Sequence, residues 1–121
     1  MFNKDKFKEL AKERDNTDWD YKINKIWSEM LSMILEDDDS FTEFINYMKT
    51  EMTGDEYGTL SEISDEIAGE KPSYQFIEAY KQLSIKYPDE TKKWNISAFI
   101  GDAEEIVKHC LEEKWYVQCK L

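Results

Sequence analysis

The side chains best suited to chemistry in this 121-residue chain are one histidine, two cysteines and twenty-seven carboxylates. His109 and Cys110 are adjacent, and Cys119 follows later in the chain. These three soft ligands lack a second paired motif, and neighbouring residues on a helix point in different directions, so the pattern does not predict a zinc site. We therefore expect no metal ion and no other cofactor. Because two cysteines are too few for a disulfide scaffold, we expect both to be thiols.

No catalytic centre is visible in the sequence. With a single histidine there is no Ser-His-Asp or Cys-His arrangement, and nothing selects a pair of carboxylates as the acid and base of a glycosidase. The acidic run at residues 37–39 suggests calcium, but it fails the EF-hand template. Phe41, Thr42 and Met48 occupy the positions that need an oxygen ligand, a glycine and the closing glutamate. Without a phosphate-binding loop either, we expect that the chain is not an enzyme.

The carboxylates are unevenly distributed along the chain. Residues 28–70 include thirteen Asp or Glu side chains and one basic side chain, Lys49, whereas the stretches before and after them are close to neutral. The formal net charge of −11 is therefore a local property of this acidic segment. A concentrated negative region favours a basic protein partner, because opposite charge steers association, and it disfavours nucleic acid as a ligand.

Length and composition predict a single domain that spans residues 1–121. Hydrophobic residues make up 40% of the chain and aromatic residues 14%, which is enough for a packed core. No apolar run is long enough to cross a membrane, and charged residues recur from Lys4 onward, which argues against a signal peptide. We therefore expect a cytoplasmic protein that does not associate with membranes.

Apolar residues recur at helical spacing through most of the chain and predict an all-α fold of six or seven helices. The clearest helix follows Asp18 as its N-cap and should bury a stripe from Trp19 to Ile34, as the central element of the core. Further helices are expected at residues 3–14, 40–54, 59–69, from 72 until Pro88, and over 96–111 with a break near Gly101. Residues 115–119 have the composition of a short extended segment, for which the sequence offers no pairing strand.

Three capping boxes mark expected helix starts: Ser40 with Glu43, Thr59 with Glu62, and Asp102 with Glu105. The first two lie in the acidic segment and open its two helices.

Both of these helices repeat acidic residues at a spacing of four. On the earlier one Tyr47 lies between Glu43 and Glu51, about 100° from the centre of the apolar stripe, so we expect it to be exposed. On the later one Glu62 and Glu66 have the same spacing, and like charges so placed cost about 0.2–0.5 kcal/mol per pair. Repulsion without a nearby lysine predicts a binding surface. The predicted partner-binding face comprises Asp37, Asp38, Asp39, Glu43, Tyr47, Glu51, Asp55, Glu56, Tyr57, Glu62, Asp65 and Glu66.

In general character the sequence resembles the small acidic helical immunity proteins of bacterial contact-dependent inhibition and other polymorphic toxin systems. The resemblance lies in size, helical organisation, few cysteines and the acid-aromatic stretches at residues 37–41 and 53–58. It implies a cytoplasmic toxin inhibitor that covers the active site, or an adjoining surface, of a toxin domain such as a basic nuclease. Two alternatives stay open. One is a DNA mimic that inhibits a DNA-binding or restriction protein, although a mimic should spread its charges in two long rows. The other is a generic helical regulatory or interaction domain.

Overall fold

The structure, a computed structural model, describes residues 2–112. Within this range the chain forms seven α-helices and no strand, which confirms the prediction of an all-α fold. The helices are α1 (Lys4–Asp15), α2 (Asp20–Ile34), α3 (Asp38–Thr50), α4 (Gly54–Glu70), α5 (Tyr74–Lys86), α6 (Pro88–Lys93) and α7 (Ile96–Glu112). The extended segment expected at residues 115–119, which includes Cys119, lies outside the described residues.

The central helix of the core is α4, not α2 as the sequence pattern predicted. Helix α4 packs along α7 and also contacts α1, α2 and α6. Nine of its 17 residues are buried, compared with four of the 15 residues of α2. Small residues explain the difference, because Ser61, Ser64 and Ala68 let neighbouring helices approach α4 closely, although they add little to an apolar stripe.

Two predicted helix starts are close to the observed ones. The side chain of Asn3 accepts a hydrogen bond from the backbone N–H of Lys6 at 3.1 Å and caps α1. In the same way Ser73 accepts one from the backbone N–H of Phe76 at 3.3 Å and caps α5. These caps satisfy backbone donors that the first turn of a helix leaves unpaired.

The predicted capping boxes are wrong. Asp37 caps α3 by accepting the backbone N–H of Ser40 at 2.7 Å, so Ser40 lies inside the helix and is buried. The capping box of α4 is formed by Thr53 and Glu56, which makes Gly54 the first residue of this helix and not the end of the one before. In both cases the helix begins before the predicted cap, because an earlier side chain, Asp37 or Thr53, already caps its first turn.

The last helix also differs from its prediction. Helix α7 runs without a break through Gly101, because its apolar residues pack on α4 and α5 on both sides of that position. The third predicted box, at Asp102, is therefore internal to the helix. Cys110 is buried in this helix and is not a free thiol, so the expectation of a thiol is wrong for this cysteine. Among the described residues, no helix is long and apolar enough to cross a membrane.

Candidate partner-binding surface

Three of the residues predicted to contact a partner are buried. Tyr47 is 3% exposed, Glu56 is 5% exposed and Tyr57 is fully buried. The Tyr47 hydroxyl donates a hydrogen bond to Oε1 of Glu56 at 2.6 Å, and the same oxygen accepts the backbone N–H of Thr53 at 3.0 Å. The ammonium of Lys8 lies 3.7 Å from the other carboxylate oxygen. The expectation of an exposed tyrosine between two carboxylates is therefore wrong.

The N-terminal segment and α1 cover Tyr47. The rings of Phe2 and Phe7 lie 5.5 and 5.8 Å from its ring, and the Lys8 ammonium lies 5.4 Å from the ring centroid. Burial, followed by the hydrogen bond to Glu56, raises the pKa of Tyr47 well above its usual range, so the phenol stays a donor. The helical spacing within α3 gives no sign of this cover, because it comes from a distant part of the chain.

Tyr57 belongs to an aromatic cluster in the core. Its ring lies 6.1 Å from the rings of both Tyr80 and Tyr87. Its hydroxyl shares a hydrogen bond with the hydroxyl of Thr91 at 2.7 Å, so the one polar atom of the side chain is satisfied. Tyr57 therefore stabilises the packing of α4 and is not available to a partner.

Basic residues from outside the acidic segment pair with several of its carboxylates. Arg14 donates two hydrogen bonds to Glu62, at 2.9 and 2.8 Å, and the indole N–H of Trp27 donates a third at 3.0 Å. Lys4 pairs with Glu51 at 3.1 Å, and Lys71 pairs with Asp38. The expectation that no cation relieves the charge of Glu62 is therefore wrong.

The exposed side of α4 is nonetheless strongly acidic. We call it the α4 strip, defined as Asp55, Glu62, Asp65, Glu66 and Glu70. Asp15 of α1 lies near Asp55 and Glu62, and Asp102 of α7 lies near Asp65. Burial, and then the charges of neighbouring carboxylates, raise the pKa of both Asp15 and Asp65 above the usual range. Carboxylates from three helices therefore repel one another on this surface.

At its C-terminal end the α4 strip borders a groove between α2 and α4. The groove has a volume of about 540 Å³ and is lined by Ser28, Leu31, Ser32, Leu35, Glu36, Glu66 and Glu70. Two half-buried leucines thus lie beside three carboxylates. The exposed residues Asp37, Asp38 and Asp39 follow directly after the groove residue Glu36 and extend the negative surface.

The predicted face is divided between two places. Glu43 and Glu51 line a different groove, together with Phe2 and Lys4 from the N-terminal segment and α1. Asp55, Glu62, Asp65 and Glu66 belong to the α4 strip, whose C-terminal end leads to residues 37–39. The structure thus brings most of the predicted exposed carboxylates together, but not Glu43 and Glu51.

The sequence reasoning missed an exposed aromatic pair at the start of α2. Trp19 was expected in the core, yet it is 63% exposed, and Tyr21 is 68% exposed. Their ring centroids lie 5.5 Å apart. A signal was present in Asp18 and Asp20, because acidic residues on both sides of Trp19 are typical of an exposed helix N-terminus. The buried stripe of α2 begins only at Ile23.

In the part of the chain that the structure describes, no group of three or more His, Cys, Asp or Glu side chains is placed to hold a metal ion. His109 lies near the C-terminal end of α7, with Nε2 3.4 Å from a carboxylate oxygen of Glu105. No protein-family model, curated protein or solved structure matches the chain. The features of the described residues that bear on function are therefore the acidic surface and the exposed aromatic side chains.

Proposed function

We propose that this protein binds a basic protein through the α4 strip and that the partner is a bacterial toxin domain, which the protein neutralises in the cytoplasm. One observation carries the proposal: Asp15, Asp102 and the α4 strip gather carboxylates from three helices on one surface. Their repulsion raises the free energy of the isolated protein. A basic surface that covers the strip converts this repulsion into attraction.

The chemistry of the strip favours a basic protein that itself binds nucleic acid. Nucleases and other nucleic-acid enzymes carry positive surfaces that bind phosphates. An inhibitor with the opposite charge associates with such a surface faster than a neutral protein does, because the long-range field steers the encounter. Rapid association is valuable for an inhibitor that must capture a toxin before the toxin acts. The assignment of the partner as a toxin rests on the resemblance to small acidic immunity proteins.

The test begins with the neighbouring genes, among which we expect a large toxin gene directly upstream. Its toxin domain is then produced with and without the protein. We expect co-expression to restore growth and the purified proteins to form a complex. Replacing Asp65 and Glu66 by lysine should reduce the association rate constant at low salt about tenfold or more, and should weaken its dependence on salt. Dissociation should change less, because exposed charges act mainly through the long-range field that steers association.

A matched control separates a local effect from net charge. Glu78 and Asp89 are exposed residues of α5 and α6, and their replacement by lysine changes the net charge by the same amount. We expect this control to slow association much less than the Asp65→Lys/Glu66→Lys variant does. Equal slowing in both variants would show that only total charge matters. Growth protection that survives loss of the strip, with unchanged kinetics, would remove the α4 strip from the interface.

A further inference from the structure

We infer that Trp19 and Tyr21 form an anchor for an arginine side chain on the surface of a basic protein partner. Both side chains expose more than half of their surface, and the two rings lie side by side. Aromatic residues with this exposure are typical of binding hot spots, where they contribute a large contact area with few rotatable bonds. The identity of the natural partner rests on the proposed function. The preference of the aromatic pair for arginine does not depend on it.

The rings of this pair have no cation of their own. Trp94 is 55% exposed, but the ammonium of Lys93 lies 4.9 Å from its ring centroid. Tyr47 and Tyr87 are likewise covered by Lys8 and Lys86. Among the described residues, no lysine or arginine lies over the ring of Trp19 or Tyr21. The faces of this aromatic pair are therefore open to a cation from another molecule.

The charges around the pair favour the same occupant. Exposed Asp18 and Asp20 flank Trp19 in the sequence, so a bound cation would meet carboxylates as well as aromatic faces. Lys22 follows Tyr21 and lines a groove with Glu9, Lys12 and Glu13 of α1, so the two acidic and two basic side chains of that groove balance one another. The two carboxylates on either side of Trp19 thus complement a positive side chain.

The backbone at Trp19 is linked to the α4 strip through Thr17 and Arg14. The backbone N–H of Trp19 lies 3.4 Å from the hydroxyl oxygen of Thr17, and Arg14 donates to the carbonyl of Thr17 at 3.4 Å. Arg14 in turn holds Glu62 of the strip, and Asp15 lies near Asp55. A basic partner on the N-terminal end of the α4 strip would therefore reach the aromatic pair as well.

The chemistry of the anchor favours arginine over lysine. A guanidinium group is planar and weakly hydrated, so it stacks on an aromatic face while it donates hydrogen bonds to a carboxylate. An ammonium group is compact and more strongly hydrated, so it loses more on leaving water. Arginine and lysine side chains carry the same charge, but arginine should bind this aromatic pair more tightly.

The experiment compares two capped peptides, hexa-arginine and hexa-lysine, by calorimetry and by NMR of the tryptophan indole N–H groups. We expect hexa-arginine to bind several-fold more tightly and to shift the indole signal of Trp19 more than that of Trp94. The Trp19→Ala/Tyr21→Ala variant should bind both peptides equally, with the remaining affinity due to charge. Trp94→Ala is the matched control and should keep the preference for arginine.

The single variant Tyr21→Ala is measured as well, because Trp19 adjoins the first turn of α2 and its replacement can disturb folding. Thermal melts should show that each variant is folded. The inference is overturned if the two peptides bind equally to the unchanged protein, or if the preference survives in the double variant. It is also overturned if sedimentation shows a dimer that the double variant loses, because a second copy would then occupy the pair.

The anchor and the proposed function can fail separately. Arginine preference at Trp19 without any toxin complex would support the anchor and contradict the proposed function. A toxin complex that depends on Asp65 and Glu66, together with equal binding of the two peptides, would support the proposed function and contradict the anchor. The Asp65→Lys/Glu66→Lys variant should bind both peptides more weakly, by a similar factor, and should keep the preference for arginine.

Discussion

Glu56 and Glu66 belong to the same helix, but their surroundings are opposite. Glu56 is buried, accepts hydrogen bonds from the Tyr47 hydroxyl and the backbone of Thr53, and lies near Lys8. Glu66 is exposed on the α4 strip beside Asp65 and near the groove leucines. One carboxylate stabilises the fold of the free protein, whereas the other only adds to its repulsion. The role of an acidic residue therefore depends on the side of the helix it occupies.

Replacing Glu56 by alanine should have the largest effect on stability. The change leaves the buried Tyr47 hydroxyl without its acceptor and removes the capping box of α4, so we expect a loss of about 3 kcal/mol in the free energy of unfolding. Urea denaturation measures this loss. Glu66→Ala is the matched control and should stay within about 0.5 kcal/mol of the unchanged protein. Similar losses in the free energy of unfolding of the two variants would show that the buried and the exposed carboxylate contribute equally to stability.

Glu62 combines a position on the acidic surface, like Glu66, with hydrogen bonds that stabilise the fold, like those of Glu56. It lies on the α4 strip but accepts three hydrogen bonds from Arg14 and Trp27. We therefore expect Glu62→Lys to lower the free energy of unfolding by about 2 kcal/mol, because it places a like charge beside a half-buried guanidinium.

The control for this change lies one turn further along α4. Glu66→Lys should leave stability unchanged or raise it slightly, because it removes a like charge from the strip. A thermal melt of the two variants provides the comparison. If Glu62→Lys is as stable as Glu66→Lys, the ion pair with Arg14 contributes nothing in solution.

Asp65 should give the smallest effect and a distinct dependence on pH. Burial, then Asp102 and Glu66, raise its pKa in the folded protein. Its contribution to stability is thus fully present below the ordinary pKa of 3.8 and is lost as the pH rises through the raised value. Asp65→Asn removes the charge that causes this loss of stability. We therefore expect the free energy of unfolding to rise by about 0.5 kcal/mol near neutral pH.

Urea denaturation of Asp65→Asn at two pH values checks the sign. The gain should disappear when the measurement is made well below pH 3.8, where the carboxyl group is protonated in both the folded and the unfolded state. A gain that persists in acid would have a cause other than charge.

The contrast between Glu56 and Glu66 also marks what the sequence could predict. Helical periodicity predicted the all-α fold, and the charge count located the acidic segment. The sequence could not predict which individual residues pair, because the partners are far apart in the chain. Phe2 covers Tyr47, and Arg14 binds Glu62, which lies 48 residues further along. The exposure of Trp19 was missed for a related reason: its spacing matches the stripe of α2, but the helix begins only at Asp20. Local spacing predicts which face of a helix is apolar, but not what another helix lays over it.

The alternation of core and strip positions along α4 has a consequence for how such a protein can change over generations. Leu60, Ile63 and Ile67 are fixed by the packing around them, whereas Asp55 and Glu66 face outward and support no neighbour's packing. Substitutions at the outward positions can therefore accumulate as a partner diverges, with the scaffold intact. The same separation makes positions 55, 65 and 66 the natural places to randomise when selecting variants that recognise a different partner.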